Sequence, residues 1–320
     1  MKRLIIGLII SLVALWWAFR SLDWQAFREA LAQANFVWII VSAVVLLASN
    51  PLRGVRWRIF IQPVKEVSVR LATEATMVGY FGNNALPFRL GELLRAYFIA
   101  RQARAPLTQM FGTVIIERVV DVLAALVLLV FLPFMGALPG WLMQLVLWTV
   151  AICLVLGLVT IWLVRRDGGI PFVRGRLKRF LDDLQLGLAS LQQGRKHFLT
   201  IFLTTVVIWF LYLANIHITQ YAMGLGLSLA ESYLILVATT LVLGIPAAPG
   251  FVGTFHAAVI MVCVSMFSID RADAQAMAVV LHAIGYIPST IIGAIFYFKS
   301  HLRLRDVKGQ ALKPESGNDR

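Results

Sequence analysis

The sequence predicts an all-α protein, a polytopic integral membrane helical bundle with about six full spans and two re-entrant hairpins. Hydrophobic residues make up 60% of the 320 residues and charged residues only 14%, with a mean hydropathy of +0.82. Several apolar runs reach the ~20 residues that a helix needs to cross a bilayer. Other apolar stretches are interrupted by Pro and Gly, which a membrane segment tolerates where it lines a protected cavity. A soluble globular domain is excluded.

The N-terminal half predicts three spans and one hairpin. The first span covers residues 4–19 and is uncleaved, because bulky residues occupy the place of a signal-peptide cleavage site. An amphipathic surface helix follows over 21–34, then a second span over 36–52. Residues 71–101 form a short, broken hairpin with basic flanks, and 107–131 form a third span. Basic residues directly follow the second span: Arg53, Arg56, Arg58, Lys65 and Arg70.

The C-terminal half continues the alternation of apolar runs and breaks. Apolar runs are predicted over 141–164, 198–221, 229–245, 251–267 and 274–298. The basic loop at 165–197 carries one apolar stripe, typical of a surface helix. Residues 1–300 therefore form one transmembrane domain, and 301–320 form a polar tail.

The charge distribution predicts the orientation and the partner. The net charge is +13, and basic residues cluster in short loops, which favours a surface of anionic lipid over nucleic acid. With both termini in the cytoplasm, all but four of the 29 Lys and Arg lie inside. The exceptions are Arg20, Arg28 and Arg271 outside, and Arg118 within a span. The first hairpin then opens inward, and the second, formed by the runs 229–245 and 251–267, opens outward. If both cross fully, the chain has ten spans.

A short internal repeat relates the two Pro/Gly breaks. The pattern A-x-P-x-x-x-G occurs at 85–91 and again at 247–253, offset by 249 minus 87, or 162 residues. The same offset relates the halves 36–131 and 198–298, which insert with opposite orientation. Inverted repeats with broken helices are typical of transporters, whose substrates bind at the breaks.

The first break has residue types that suit an anionic head group. A helix N-terminus with free N–H groups attracts phosphate, and Arg binds phosphate through two parallel hydrogen bonds. The candidate ligands are Asn83, Asn84, Arg89, Glu92 and Arg95. A structural alternative stays open, because Glu92 and Arg95 are spaced to pair on one helix face.

The second break offers backbone donors and few charges. Its candidate ligands are Pro249, Gly250, Gly253, Thr254 and His256. His217, His256 and His282 all fall within apolar runs, without the spacing of a metal site, so a satisfied core His is favoured for each. His256 alone lies near enough to a helix start to meet a head group.

Three charged residues lie in the middle of the 107–131 span: Glu117, Arg118 and Asp121. A lone charge at that depth is costly, so we expect these residues to contact one another, an Arg of the first hairpin (Arg89 or Arg95) or a cavity. Their surplus negative charge favours that Arg partner. Two roles remain open, a structural clamp and a part of a gate or proton path.

Three motifs resemble a known family. The segments NNALPFRLGELLRAYFIAR, ERVVD and PAAPGFVGTFH are similar to the flippase-like membrane domain of lysylphosphatidylglycerol synthases. The resemblance covers residues 1–300 and implies a stand-alone member without the soluble aminoacyl-transfer domain. It also implies lipid movement between leaflets, with no enzymatic activity and no cofactor. The family's second motif usually has an acidic residue near the position of His256.

These features predict a lipid flippase or transporter in a bacterial inner membrane, acting on a phospholipid, glycolipid or polyprenyl-type lipid. The expected partner is a lipid with an anionic or modified head group. Two alternatives are a membrane-embedded transferase acting on a lipid-linked substrate, and a non-transporting partner that anchors a lipid-biosynthesis enzyme through the 165–197 loop. The sequence contains no Ser-His-Asp pattern, Walker loop or D-x-D motif.

Overall fold

The computed structural model describes residues 2–86, 89–132, 195–242 and 247–300, with a few positions between 140 and 155. The regular elements of these ranges are helical, as predicted. They are α1 (Lys2–Phe19), α2 (Trp24–Gln33), α3 (Phe36–Ile61), α4 (Val69–Ala85), α5 (Leu90–Ala103), α6 (Leu107–Phe131), α7 (Arg195–Ala222), α8 (Leu229–Val242), a 3₁₀ turn (Pro249–Phe251), α9 (Thr254–Phe267) and α10 (Arg271–Lys299). Pro87, residues 243–246, the tail at 301–320 and nearly all of the predicted elements at 141–164 and 165–197 lie outside the described residues.

Four helical segments of the described part are long and apolar enough to cross a membrane. They are α3, α7, α10, and α9 together with the turn at Pro249–Phe251. Helices α1 and α2 meet at a bend of 85° and supply a fifth candidate if they are one span. The predicted span α6 has 25 residues, but it carries three charged residues near its centre, which require partners. The chain is therefore a polytopic helical membrane protein.

Helices α4 and α5 pack against each other as a helical hairpin. They have 17 and 14 residues, so the longer one rises only ~26 Å, less than the ~30 Å hydrocarbon core of a bilayer. Their backbones touch: a Cβ on Gly91 would overlap the carbonyl oxygen of Gly79 and the amide nitrogen of Asn83. Glycine is required at this contact.

The predicted end of the second span at Leu52 is wrong. Helix α3 continues through Pro51 to Ile61. Proline costs one backbone hydrogen bond, but the extension buries Trp57, Phe60 and Ile61 completely, and this packing outweighs the lost bond. The same extension carries Arg53 and Arg56 into the interior, so they are not part of a basic loop.

Helix α1 packs along the second break. The Ser11 hydroxyl accepts a hydrogen bond of 2.7 Å from the amide of Ala248, just before the 3₁₀ turn. At the C-terminal end of α1, two side chains from the first turns of α10 donate hydrogen bonds to the last carbonyl oxygens of α1. Arg271 donates to Trp17 O at 2.7 Å and Gln275 donates to Ala18 O at 2.6 Å. These bonds satisfy backbone acceptors that a helix end leaves free.

We expect Gly91→Ala to destabilise the protein by about 1–3 kcal/mol, because the added methyl group must separate α4 from α5. Gly285→Ala on α10 is the matched control: its new Cβ would lie 3.8 Å from Leu46 Cδ2, an ordinary contact. In the control, the higher helix propensity of Ala gives a small gain. Thermal unfolding of the detergent-solubilised protein measures both changes, and equal unfolding midpoints would contradict the close approach.

Candidate functional site

At the first break, the predicted amide donors already have partners within the protein. Asn84 Nδ2 donates to Thr290 Oγ1 on α10 at 2.7 Å, and Asn83 Nδ2 lies 3.4 Å from Glu92 Oε1. The hydroxyl of Tyr286 donates to the carbonyl oxygen of Asn84 at 3.2 Å. The two Asn side chains therefore fix the end of α4 against α5 and α10.

Arg89 is the exposed cation of the first break. It precedes α5 in a left-handed backbone conformation (φ 53°), and its side chain makes no capping hydrogen bond. Its guanidinium carbon lies 4.9 Å from the centroid of the Phe251 ring, in a cation–π contact. A residue of one break therefore contacts a residue of the other.

The second break is a tight backbone turn. Gly250 and Gly253 have φ angles of 67° and 92°, which other L-residues rarely adopt. The Thr254 hydroxyl donates to Phe251 O at 3.2 Å, and Nδ1 of His256 accepts from the Gly253 amide at 3.4 Å. Both side chains are buried. His256 is thus a satisfied core histidine that caps α9, the role that its apolar surroundings favour.

Helix α10 joins the two breaks. His282 Nε2 donates to the Gly250 carbonyl oxygen at 2.8 Å, and the Tyr286 ring lies so close to Gly250 that a Cβ there would overlap it. Tyr286 and Thr290 then contact Asn84, as described above. The rings of His256 and His282 lie 4.7 Å apart. The two breaks therefore lie side by side.

His217, the third histidine predicted to lie in the core, forms a hydrogen bond of 2.9 Å with the Ser232 hydroxyl.

A buried ionic cluster lies beside the first break. We define it by seven residues: Arg53, Arg56, Glu92, Arg95, Glu117, Arg118 and Asp121. Arg56 Nη2 contacts Asp121 Oδ1 at 2.6 Å and Glu117 Oε1 at 3.1 Å. Arg53 Nη1 lies 3.5 Å from Asp121 Oδ2 and 3.7 Å from Glu117 Oε1. Helix α3 thus neutralises both carboxylates of α6.

Arg95 joins the first hairpin to the cluster. Its Nη1 contacts Glu117 Oε2 at 2.7 Å, and its Nη2 contacts Glu92 Oε2 at 2.8 Å. Its guanidinium carbon also lies 4.7 Å from the centroid of the Trp57 ring. The expected contact of Glu117 with an Arg of the hairpin is confirmed. Glu92 also pairs with Arg95, which was the structural alternative that the sequence left open. Arg118 Nη1 lies 3.5 Å from Asp121 Oδ2, which is the predicted contact within α6.

The surplus negative charge of Glu117, Arg118 and Asp121 is met by Arg95, as expected, and α3 adds two further guanidinium groups. The cluster contains four Arg and three carboxylates, so its formal charge is positive by one. The sequence did not predict this excess, because Arg53 and Arg56 were expected to lie in a basic loop. Arg53, Arg56, Trp57 and Phe60 follow the spacing of three and four residues that places side chains on one face of a helix. This helical pattern was the signal that α3 continues.

Sequence reasoning also missed the polar residues that hold the cluster from α7. Arg53 Nε donates to Tyr212 Oη at 2.7 Å, and Arg56 Nη1 donates to Thr205 Oγ1 at 3.0 Å. Thr205 and Tyr212 lie in a largely apolar run, where a hydroxyl residue has no distinctive pattern. Among the described residues, no group of three His, Cys, Asp or Glu is arranged to hold a metal ion.

These features define a class: a polytopic helical membrane protein in which two adjacent helix breaks adjoin a buried ionic cluster. The chain belongs to the family described as the lysylphosphatidylglycerol synthase TM region, which matches residues 4–293. The resemblance predicted from the three motifs is confirmed.

Curated relatives are archaeal and distant. The glycosyltransferase AglD of Haloferax volcanii is 25% identical over 91% of this chain, and the chain spans only 53% of that protein. A UPF0104 membrane protein of Methanothermobacter thermautotrophicus is 24% identical, covering 85% of this chain and 89% of the relative. A UPF0104 membrane protein of Methanocaldococcus jannaschii is 24% identical, and the match covers 68% of this chain and 93% of the relative.

We expect Glu117→Gln to destabilise the protein by about 3–5 kcal/mol, because it removes the shared partner of Arg56 and Arg95 inside the protein. Arg95→Met should lower the stability less in the Glu117→Gln background than in the wild type, because the charged partner of Arg95 is already gone. The double-mutant cycle measures this coupling between Arg95 and Glu117. Glu74→Gln is the control. Glu74 pairs with the highly exposed Arg70 at 2.8 Å, and its loss should cost below about 1 kcal/mol. Thermal unfolding in detergent measures all four variants; additive effects of the two cluster substitutions would contradict the coupling.

Proposed function

We propose that this protein moves a lipid with an anionic or modified head group between the leaflets of its membrane, and that it has no enzymatic activity of its own. The observation that carries the proposal is the contact of the two helix breaks, through Arg89 and Phe251. A head group between them would meet an exposed guanidinium and the free N–H groups at the starts of α5 and α9. The family resemblance and the membrane spans agree with such a role.

An inverted repeat is part of this proposal. Helices α3–α6 and α7–α10 follow one another in the same order, and the offset of 162 residues (249 minus 87) aligns their starts within three residues. In each half a long helix precedes two shorter ones separated by a break. In this proposal the α4–α5 and α8–α9 pairs are re-entrant and the bundle has about six full spans. Rocking of the two halves would expose the head group to either leaflet in turn.

We further propose that both termini face the cytoplasm, across a prokaryotic cytoplasmic membrane. Four exposed basic residues lie near the ends of α4 and α5 that are away from the first break: Lys65, Arg70, Arg101 and Arg104. Positive charge there favours the cytoplasmic side for these ends. The curated relatives reported above are archaeal, and the charge rule for orientation does not depend on the bacterial assignment. Contact of the basic segment 165–197 with a lipid-biosynthesis enzyme belongs to the alternative in which the protein is a non-transporting partner.

A transferase is the second candidate, because one relative bears the name of a glycosyltransferase. A transferase that uses a carboxylate as general base or metal ligand needs that carboxylate free to accept a proton or to bind the metal ion. The three carboxylates of the ionic cluster instead each contact Arg side chains within 4 Å. This pairing favours the transport proposal.

Reconstitution in vesicles tests the two candidates. We expect wild-type protein to accelerate leaflet exchange of fluorescent head-group lipids, and Arg89→Ala to slow it by roughly tenfold, the loss of one charge-assisted bond. Arg70→Ala, which removes an exposed Arg far from the breaks in sequence, is the control and should leave exchange unchanged. Equal exchange in wild-type and protein-free vesicles across several lipid classes would sink the transport proposal. Product formation from an activated sugar donor would favour the transferase.

A further inference from the structure

One end of the ionic cluster is open. The side chains of Arg53, Arg56, Arg95 and Glu117 expose 8% or less of their surface, whereas Arg118 exposes 37%. Glu92 and Asp121 lie between these extremes, at 19% and 13%. A ligand can therefore reach the cluster at Arg118.

Arg118 is also the least engaged cation of the cluster. Its contacts with Glu92 and Asp121 are 3.7 and 3.5 Å, longer than charge-assisted hydrogen bonds of ~2.7–2.9 Å. By contrast, Arg56 and Arg95 make contacts of 2.6 and 2.7 Å with carboxylates, and Arg53 makes one of 2.7 Å with Tyr212. Donor groups of Arg118 are thus available to an acceptor that the chain does not supply.

The charge of the cluster points to the sign of that acceptor. With four guanidinium groups and three carboxylates, the cluster has one positive charge in excess, and unbalanced charge is costly inside a membrane protein. One phosphodiester brings one negative charge and two acceptor oxygens in the planar arrangement that guanidinium matches. A head group with an added amine would bring its own cations to a site that already has an excess.

We infer that Arg118 binds the phosphate of an anionic lipid at the open end of the ionic cluster, and that the excess charge of the cluster selects net-negative lipids over aminoacylated, net-cationic ones. This inference rests on the proposed function, in that the ligand enters from the membrane. It also deepens that function, because it names the charge class of the lipid. Glu92, between Arg95 and Arg118, lowers the selectivity by offsetting part of the positive charge.

Binding of lipids to the purified full-length protein in detergent tests the selectivity. The probes are phosphatidylglycerol (net −1), phosphatidylcholine (net zero) and lysyl-phosphatidylglycerol (net +1). Wild type should bind phosphatidylglycerol at least roughly tenfold more tightly than the cationic lipid. Arg118→Gln should reduce this ratio about tenfold, whereas Glu92→Gln should increase it, since it removes a negative charge of nearly the same shape.

The opposite effects of the two substitutions separate ligand binding from a structural role. A structural role would weaken binding of all three lipids alike in both variants. Arg118→Lys, which keeps the charge, should restore the ratio in part. Arg70→Gln and Glu74→Gln change a charge pair outside the cluster and serve as controls. A ratio that neither cluster substitution changes would overturn the inference.

Two further arms identify the source of the phosphate and separate the inference from the proposed function. Inorganic phosphate that displaces phosphatidylglycerol at equal concentration would assign the site to free phosphate and overturn the lipid assignment. Selective binding in detergent without exchange in vesicles would refute transport and leave the inference standing. Exchange without selectivity would do the reverse.

Discussion

Glu117 lies in the middle of α6, a largely apolar helix of 25 residues, and its side chain is fully buried. An unpaired carboxylate there would cost several kcal/mol. Its two oxygens take guanidinium groups from different helices: Arg56 from α3 at one oxygen and Arg95 from α5 at the other. Arg56 in turn donates to Thr205 on α7. One buried charge therefore holds four helices in register, and the continuation of α3 beyond Pro51 serves this purpose.

A second constraint acts at the breaks, where backbone contact takes the place of charge. Gly91 brings α5 onto the backbone of α4, and Gly250 admits the Tyr286 ring at the turn before α9. Tyr286 also donates to the carbonyl oxygen of Asn84, so α10 ties both breaks together. Small residues at these points let polar backbone groups approach one another inside an apolar bundle. The breaks and the ionic cluster meet at Glu92, which lies 3.4 Å from Asn83 and also pairs with Arg95.

This arrangement explains why the first break and the second have different compositions. The first break adjoins the charged cluster through Glu92 and Arg95, and it also presents the exposed Arg89. The second is a turn that depends on two glycines with positive φ angles. His256 caps the helix that follows it, and His282 donates a hydrogen bond to the Gly250 carbonyl oxygen. The His256 ring accepts a hydrogen bond from the Gly253 amide, as a carboxylate could. The position therefore keeps an acceptor for the helix start without adding a charge.

The sequence by itself determined the helical membrane class, the two breaks, the spacing that allows Glu92 to pair with Arg95, and the need of Glu117 for a partner. Each of these follows from local rules: apolar run length, Pro and Gly chemistry, helical spacing, and the cost of charge in a membrane. The end of α3 was missed because the same proline pattern ends some helices and is tolerated in others. Only the tertiary structure decided between these outcomes, since the burial of Trp57 and Phe60 depends on helices distant in sequence. It likewise decided that Arg53 and Arg56 join the cluster and that its net charge is positive, because charges sum over residues that only the fold brings together.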